Sequence, residues 1–262
     1  MPAKTFTIVT PCLNAAGTIG RTLQSVRDQG RRDVEHIVID GGSVDGTQDV
    51  VAGFTEVTLV SEPDEGLSDA VNKGFRLASG ELVGWLNADD WYLPGALDAV
   101  AAKARDHPEA EWFTGGCPIV DGSGAETRPL VTAYKKALLR HYSLPLYLTQ
   151  NFVACPATFV RRVALEEVGP LSPDYRYSMD YDLFLRLARR GAPVVVDRDL
   201  AVFVMQEGTM SMSGFEEQFR EHAAQSRAHG SGYPLAVATN ALASRAIVLV
   251  YRLLRAIRSR AN

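Results

Sequence analysis

The first hundred residues alternate short β-rich runs with amphipathic stretches, and that alternation restricts the fold more than any other feature. Thr5–Thr10 (TFTIVT) is β-rich and stops at Pro11. Thr18–Arg27 has helical spacing in Ile19, Leu23 and Val26. Val34–Ile39 reads as a buried strand, Gln48–Phe54 as a short helix and Val57–Val60 as a strand. Leu67–Leu77 places Leu67, Ala70, Val71, Gly74 and Leu77 on one helical face. Glu81–Leu86 is a strand, and Pro94 stands where a proline opens a helix that continues through Leu97–Ala104. Such βαβα order implies a mostly parallel sheet flanked by helices. Ligands of such sheets bind beyond the carboxyl ends of the strands. The loops after Thr10, Ile39, Val60 and Leu86 are therefore the places for chemistry, and each is polar or glycine-rich.

Beyond residue 110 the pattern loosens. Short strands with turn signals, such as Asp121-Gly122-Ser123-Gly124, suggest a smaller antiparallel portion. A helix is expected over Asp182–Arg190, strands over Val194–Val196 and Leu200–Met205, and a helix over Ser213–His229. The expected division is 1–230 as one α/β domain, with 1–110 binding nucleotide and 111–230 binding acceptor. Residues 231–262 then form a C-terminal helical extension.

With 262 residues, 46% of them apolar, the chain can bury a real core. A formal charge of −4 gives no reason to expect nucleic acid as a partner. The charge is unevenly spread. No acid follows Glu221, whereas Arg227, Arg245, Arg252, Arg255, Arg258 and Arg260 do. Within Arg245–Arg258, Ala246, Ile247, Val250, Leu253, Leu254 and Ile257 share one helical side and the arginines another. Such a helix can lie on an anionic membrane surface, or pack on its own domain or on a second subunit of a homo-oligomer. Cys12, Cys117 and Cys155 are odd in number and widely spaced, which argues against a disulfide framework or a zinc site. The N-terminus lacks the apolar core of a signal peptide, and no uncharged apolar run has bilayer-spanning length. The expected location is cytoplasmic, with 245–260 either in peripheral contact with the inner membrane face or packed against protein.

Three acidic elements carry the chemistry. In Asn87-Ala88-Asp89-Asp90 two adjacent carboxylates follow an apolar strand. Like charges so placed must be hydrated, paired or metal-bound, and an oxygen-rich site favours magnesium or manganese. Asp90 could instead cap the helix opened by Pro94. In Asp40-Gly41-Gly42-Ser43-Val44-Asp45-Gly46-Thr47 the glycines allow a tight path beside a ligand, and Asp40 could accept hydrogen bonds from a ribose or base. Asp45 and Thr47 read as turn and cap residues, and neither a P-loop nor a Gly-x-Gly-x-x-Gly fingerprint is present. In Asp180-Tyr181-Asp182 the acids would diverge by about 200° on a helix of about 3.6 residues per turn, so they do different work. Asp180, just before the helix, is either a general base facing a pocket or an N-cap.

Taken together, TIVTPCLNAAGTIGRTLQSVRDQ, VEHIVIDGGSVDGT, SEPDEGLSDAVNKGFRLASGELVGWLNADDWYLPGAL and SMDYDLFLRLARRG resemble the family 2 glycosyltransferases of the GT-A fold. The resemblance spans residues 7–191. It implies a Rossmann-like sheet, a nucleotide-diphosphate sugar donor, a divalent metal (manganese or magnesium), a carbohydrate or lipid-linked acceptor, and inversion at the anomeric carbon. It also implies a donor-binding set of Thr10, Pro11, Asn14, Asp40, Asp64, Asn87 and Asp89. Asp90 would hold the metal and Asp89 the ribose or the metal, in the DXD-type motif, and Asp180 would be the catalytic base. The chain departs from the pattern at three places. Gly41 stands where many members have a second Asp, Asn87 where the motif has its first acid, and Met179 where a Glu commonly precedes the base. Two rivals remain. A nucleotidyltransferase would ordinarily carry a basic, glycine-rich loop after the first strand, and PCLNAAGT has no basic residue. A non-catalytic nucleotide-sugar-binding module would have no use for Asp180.

Overall fold

Strand β1, Phe6–Cys12, is buried along its whole length, as a strand must be when helices cover both faces of its sheet. The computed structural model describes residues 4–205 and 214–261. The polar segment Gln206–Ser211, which by position resembles a loop over the donor diphosphate, lies outside them. After β1 come α1 (Ile19–Arg27), β2 (Val34–Asp40), α2 (Thr47–Ala52), β3 (Val57–Ser61), α3 (Leu67–Leu77) and β4 (Leu82–Trp85). The chain continues through β5 (Trp91–Tyr92), α4 (Ala96–Asp106), β6 (Trp112–Gly116), β7 (Ile119–Val120), α5 (Pro129–Arg140) and α6 (Leu144–Thr149). It ends with β8 (Thr158–Arg161), α7 (Arg162–Val168), α8 (Met179–Ala188), β9 (Val194–Asp199), β10 (Ala201–Val204), α9 (Phe215–His229) and α10 (Pro234–Ala261).

The main sheet has seven strands in the order β3-β2-β1-β4-β8-β6-β9. Strands β1 to β4 are mutually parallel where they pair, β8 runs antiparallel to β4 and β6, and β9 is parallel to β6. Chain order reverses at β1, between β2 and β4, which opens a crevice at their carboxyl ends. A second sheet, β5-β10-β7, is mixed: β10 is antiparallel to β5 and parallel to β7. The antiparallel portion expected after residue 110 is thus real, but part of it is built into the main sheet through β8.

Pro11 does not end β1. The strand reaches Cys12, and Pro11 pairs with Ile39 of β2. Past Val9 the pairing with β4 stops, so Pro11 sits where one flank is open and its missing N–H is tolerated. Helix α8 begins at Met179, ahead of the Asp182 start that the charge pattern suggests. Three helices, α5, α6 and α7, occupy a stretch where no helix was expected. Trp112 anchors the core beneath them, stacked on Phe184 at 5.8 Å with its indole N–H on the Gly191 carbonyl.

Helix α10 packs on α6 and α9 through a small, polar face. Ala236, Asn240 and Ser244 point inward, and the Asn240 amide donates to the Leu148 carbonyl at 3.0 Å. Leu235, Leu242 and Leu249 face outward and are exposed, as are Ala246 and Ile247. Among the described residues no helix is long and apolar enough to cross a membrane, and all three cysteines are buried and free.

Helix α3 reaches β1 through Gly74. A Cβ there would lie 2.2 Å from Val9 Cγ1. Gly74→Ala is therefore expected to cost about 1–3 kcal/mol of overpacking, read as a lower midpoint in thermal or urea unfolding. An unchanged midpoint would show that α3 can lift off the sheet freely.

Candidate active site

The loops after β1 and β2 are stapled together by short polar side chains. Asn14 adopts φ 51°, a left-handed conformation that asparagine tolerates. Its Oδ1 accepts from the Val44 amide at 3.0 Å, and its own N–H donates to Ser43 Oγ at 2.7 Å. Ala15 N–H donates to Thr47 Oγ1 at 2.8 Å, and Ala16 N–H to Asp45 Oδ2 at 3.0 Å. Asp45 and Thr47 are thus structural, but Thr47 is not the cap: it is the first residue of α2, Gly46 is the N-cap, and Asp45 Oδ1 accepts the Thr47 amide at 3.0 Å.

Asp40 is fully buried at the end of β2. Its carboxylate accepts from Ser61 Oγ at 2.7 Å, Gln48 Nε2 at 2.9 Å and the Ser43 amide at 3.2 Å. Burial alone would raise its pKa, but these donors outweigh it and hold the group below the usual range. Both oxygens are engaged within the protein, so Asp40 shapes the loop. Thr10 is also fully buried, with Oγ1 against His36 Nε2 at 2.9 Å, and Pro11 is buried beside it. Asp64 is half-buried in the loop after β3, and its Oδ1 accepts the Gly66 amide at 2.9 Å. Its other oxygen crowds Gly41, where a Cβ would come within 2.4 Å. The glycine that departs from the family pattern is thus matched by a carboxylate from a neighbouring loop filling the same space.

The two acids after β4 part company. The Trp85 indole donates to Asn87 Oδ1 at 2.8 Å, and Asn87 Nδ2 donates to Asp90 Oδ2 at 3.1 Å. Asp90 is fully buried, and its Oδ1 accepts the Val204 amide of β10 at 2.8 Å. Its carbonyl accepts from Thr22 Oγ1 at 2.8 Å. Burial, reinforced by the charge of Asp89, pushes its pKa well up. It caps no helix, because β5 follows at once and α4 starts only at Ala96. Pairing of β5 with β10 draws Asp90 inward, where it bolts the small sheet to the end of β4. Asp89 is half-buried and lines a cavity of about 560 Å³. Burial raises its pKa too, and among the described residues only its own backbone amide supports the carboxylate. The sequence reading gave the metal first to Asp90; the geometry turns Asp90 toward β10 and Asp89 toward open space.

Asp180 lines the same cavity from the first turn of α8. It lies inside the helix, not ahead of it as an N-cap, and its Oδ1 accepts the Tyr181 amide at 2.7 Å. Burial lifts its pKa to about 6, against the opposing pull of that amide, the Lys135 charge and the Asn151 side chain. Asp182 points elsewhere, to Arg186 Nε at 3.0 Å and His229 Nε2 at 2.9 Å. The divergence of the two acids is as their spacing requires. Met179, in place of an acid, is buried next to Asp180 in the chain.

One cavity therefore gathers Asn87 and Asp89 from the end of β4, Asp180 from α8, Lys135 from α5, Asn151 and His222. Thr10, Pro11, Asn14, Asp40 and Asp64 are not among its walls and stand at the ends of β1, β2 and β3. Lys135, Asn151 and His222 carry no motif in the sequence. Only folding of α5, α9 and the segment after α6 over the sheet brings them to the acids.

The family model for glycosyl transferase family 2 matches residues 7–169. The chain belongs to that family. A PGL/p-HBAD biosynthesis glycosyltransferase of Mycobacterium bovis is 29% identical to this family 2 chain over 210 residues, 78% of the chain and 77% of the relative. An uncharacterized glycosyltransferase of Mycobacterium tuberculosis is 31% identical over 204 residues, covering 74% and 72%. Among solved structures, S. aureus TarS 1-349 in complex with UDP-GlcNAc superposes with TM-score 0.66 at 19% identity, over 84% of this chain and 66% of that one. The chain thus spans just under two thirds of that TarS fragment. The mannosyltransferase PcManGT from Pyrobaculum calidifontis, in complex with GDP-Man and Mn²⁺, superposes with TM-score 0.64 at 22% identity, over 98% and 80%. The family 2 glycosyltransferase has the GT-A fold.

Proposed function

We propose that this glycosyltransferase moves a sugar from a nucleotide-diphosphate donor to an acceptor hydroxyl with inversion, Asp180 acting as general base. The observation that carries the reading is the meeting of Asp89 and Asp180, from distant parts of the chain, on the walls of one cavity. In this reading the nucleoside lies in the crevice at the ends of β1 to β3. Asp64, with one oxygen free of hydrogen bonds among the described residues, meets the nucleobase there, and the stapled loop of Asn14 and Ser43 shapes the ribose pocket. Asn87 and Asp89 face the diphosphate.

A divalent cation fits this arrangement through Asp89. That carboxylate is desolvated, raised in pKa and, among the described residues, not spent on other side chains. Among the described residues no group of three or more His, Cys, Asp or Glu could hold a metal by itself. This suits magnesium or manganese, which take one or two carboxylates and complete their shell with phosphate oxygens and water. When bound, the ion would offset charge on the departing diphosphate. Arg128, also on the cavity wall, adds positive charge there, and Lys135 lines the wall beside it, where burial pushes its pKa down. On the acceptor side, Asp180 takes the hydroxyl proton as the oxygen attacks the anomeric carbon. The Tyr181 amide and Asn151 hold the carboxylate in place for that transfer.

A panel of nucleotide sugars with manganese or magnesium, read by thermal shift and by donor hydrolysis, tests this reading. Stabilisation by one nucleoside class is expected. A flat response to every nucleotide would remove the donor from the account.

The base also sets a pH dependence. Asp180 must be ionised to accept a proton, so kcat/KM should fall about tenfold per unit as pH drops below about 6. An ordinary aspartate would hold activity down to about pH 4. A pH–rate profile flat to pH 5 would assign the proton transfer elsewhere.

A further inference from the structure

The cavity that holds Asp89 and Asp180 is not polar throughout. Phe152, Phe203, Phe215 and Phe219 share its wall with the acids, as do Val131 of α5 and Ile247 of α10. Val131 is 39% exposed and Ile247 41% exposed, so the apolar wall reaches solvent. Tyr134 of α5, also on the wall, is exposed, and so are Leu130 on α5 and Leu242 on α10 outside it. His222 lines the cavity too, 7% exposed, between Tyr181 and Phe219 at ring distances of 5.1 and 5.4 Å. Its Nε2 has no hydrogen-bond partner among the described residues. A buried polar atom without a partner is costly unless something else supplies one. A volume of about 560 Å³ falls within the usual range of small-molecule pockets.

We propose that this cavity is the acceptor site and that its acceptor is an amphiphile. The hydroxyl-bearing head lies at Asp180 and a polar group of that head meets His222. The alkyl or aryl body lies along the phenylalanine wall and leaves between α5 and α10. A free sugar would meet the polar groups and leave the half-buried Phe203, Phe215 and Phe219 uncovered. The proposal rests on the transfer reading above for the role of Asp180, but occupancy of the cavity is measurable without turnover.

The test is binding of methyl and octyl β-glucoside to the full chain by calorimetry, with the octyl compound kept below its micelle concentration. Each buried methylene strengthens binding about fourfold, so the octyl compound should bind at least about 100-fold more tightly. Val131→Asp and Ile247→Asp, both at exposed positions, should each weaken octyl binding about tenfold while leaving methyl binding and the melting temperature unchanged. Equal affinity for the two glucosides overturns the proposal. So does octyl binding indifferent to both substitutions, including the case in which they dissociate a dimer in sedimentation velocity, since a second copy would then cover the apolar rim. Nucleotide binding, followed separately by thermal shift, fails only if the donor reading fails.

Discussion

Replacing Asp180 by asparagine is expected to lower sugar transfer by about 10²–10⁴-fold, the usual contribution of a positioned general base, with nucleotide affinity unchanged. The amide keeps the shape of the side chain and can still accept the Tyr181 N–H. What it loses is the ability to take a proton. The same substitution carries a stability signature of known sign. Burial raises the Asp180 pKa to about 6, so the folded protein binds that proton more tightly than the unfolded chain does. Its contribution is favourable when pH is below the unfolded value and is lost as pH rises through about 6. At pH 8 the wild type therefore carries an ionised group that folding disfavours, and the asparagine variant does not. Asp180→Asn should melt no lower than wild type at pH 8, and relatively less favourably at pH 4. An inactive variant that also melts much lower at pH 8 would mean a structural loss. A variant with full activity would dismiss Asp180 as the base.

The first half of the fold was legible in the sequence because its signals are local. Buried strands such as VEHIVID and ELVGW are short apolar runs, and α3 keeps a clean helical face, so Leu67–Leu77 was placed without error. The second half was not, because its organisation is not local. Strand β8 inserts antiparallel between β4 and β6, a pairing that no neighbouring residue announces. Helices α6 and α7 have only six and seven residues, too few for an apolar period to declare itself. The site shows the same division. The spacing of Asp180 and Asp182 foretold their separate duties. By contrast, nothing in two adjacent aspartates says which faces a ligand, and nothing in VIDGG says that Asp40 is encircled by Ser43, Gln48 and Ser61. Those facts depend on β10 and β3 arriving from elsewhere in the chain.

Asp89 and Asp90 should therefore give opposite results when each is replaced by alanine. Asp89 supports no side chain of the protein among the described residues, and its desolvated carboxylate faces the cavity. Its loss leaves the fold intact and is expected to cost several kcal/mol of transition-state stabilisation, at least a 100-fold fall in activity with a weaker response to manganese. Asp90 is the reverse. Removing it strands the Val204 amide and the Asn87 side chain in a buried place, at about 1–3 kcal/mol for each unsatisfied group. One compensation reduces that cost: the Asp90 carboxyl is itself raised in pKa by burial and by Asp89, so part of its own desolvation is relieved. A marked drop in melting temperature remains the expected outcome, with metal response retained in whatever fraction stays folded. Asparagine at 90 separates packing from charge, because its carbonyl can still accept the Val204 N–H and its fold should be largely rescued. Measured side by side, unfolding midpoints and manganese titrations of the three variants decide the assignment. If Asp90→Asn keeps its stability but loses its metal response, the cation belongs to Asp90. If only Asp89→Ala loses it, the second aspartate is a bolt between two sheets and the first alone faces the donor.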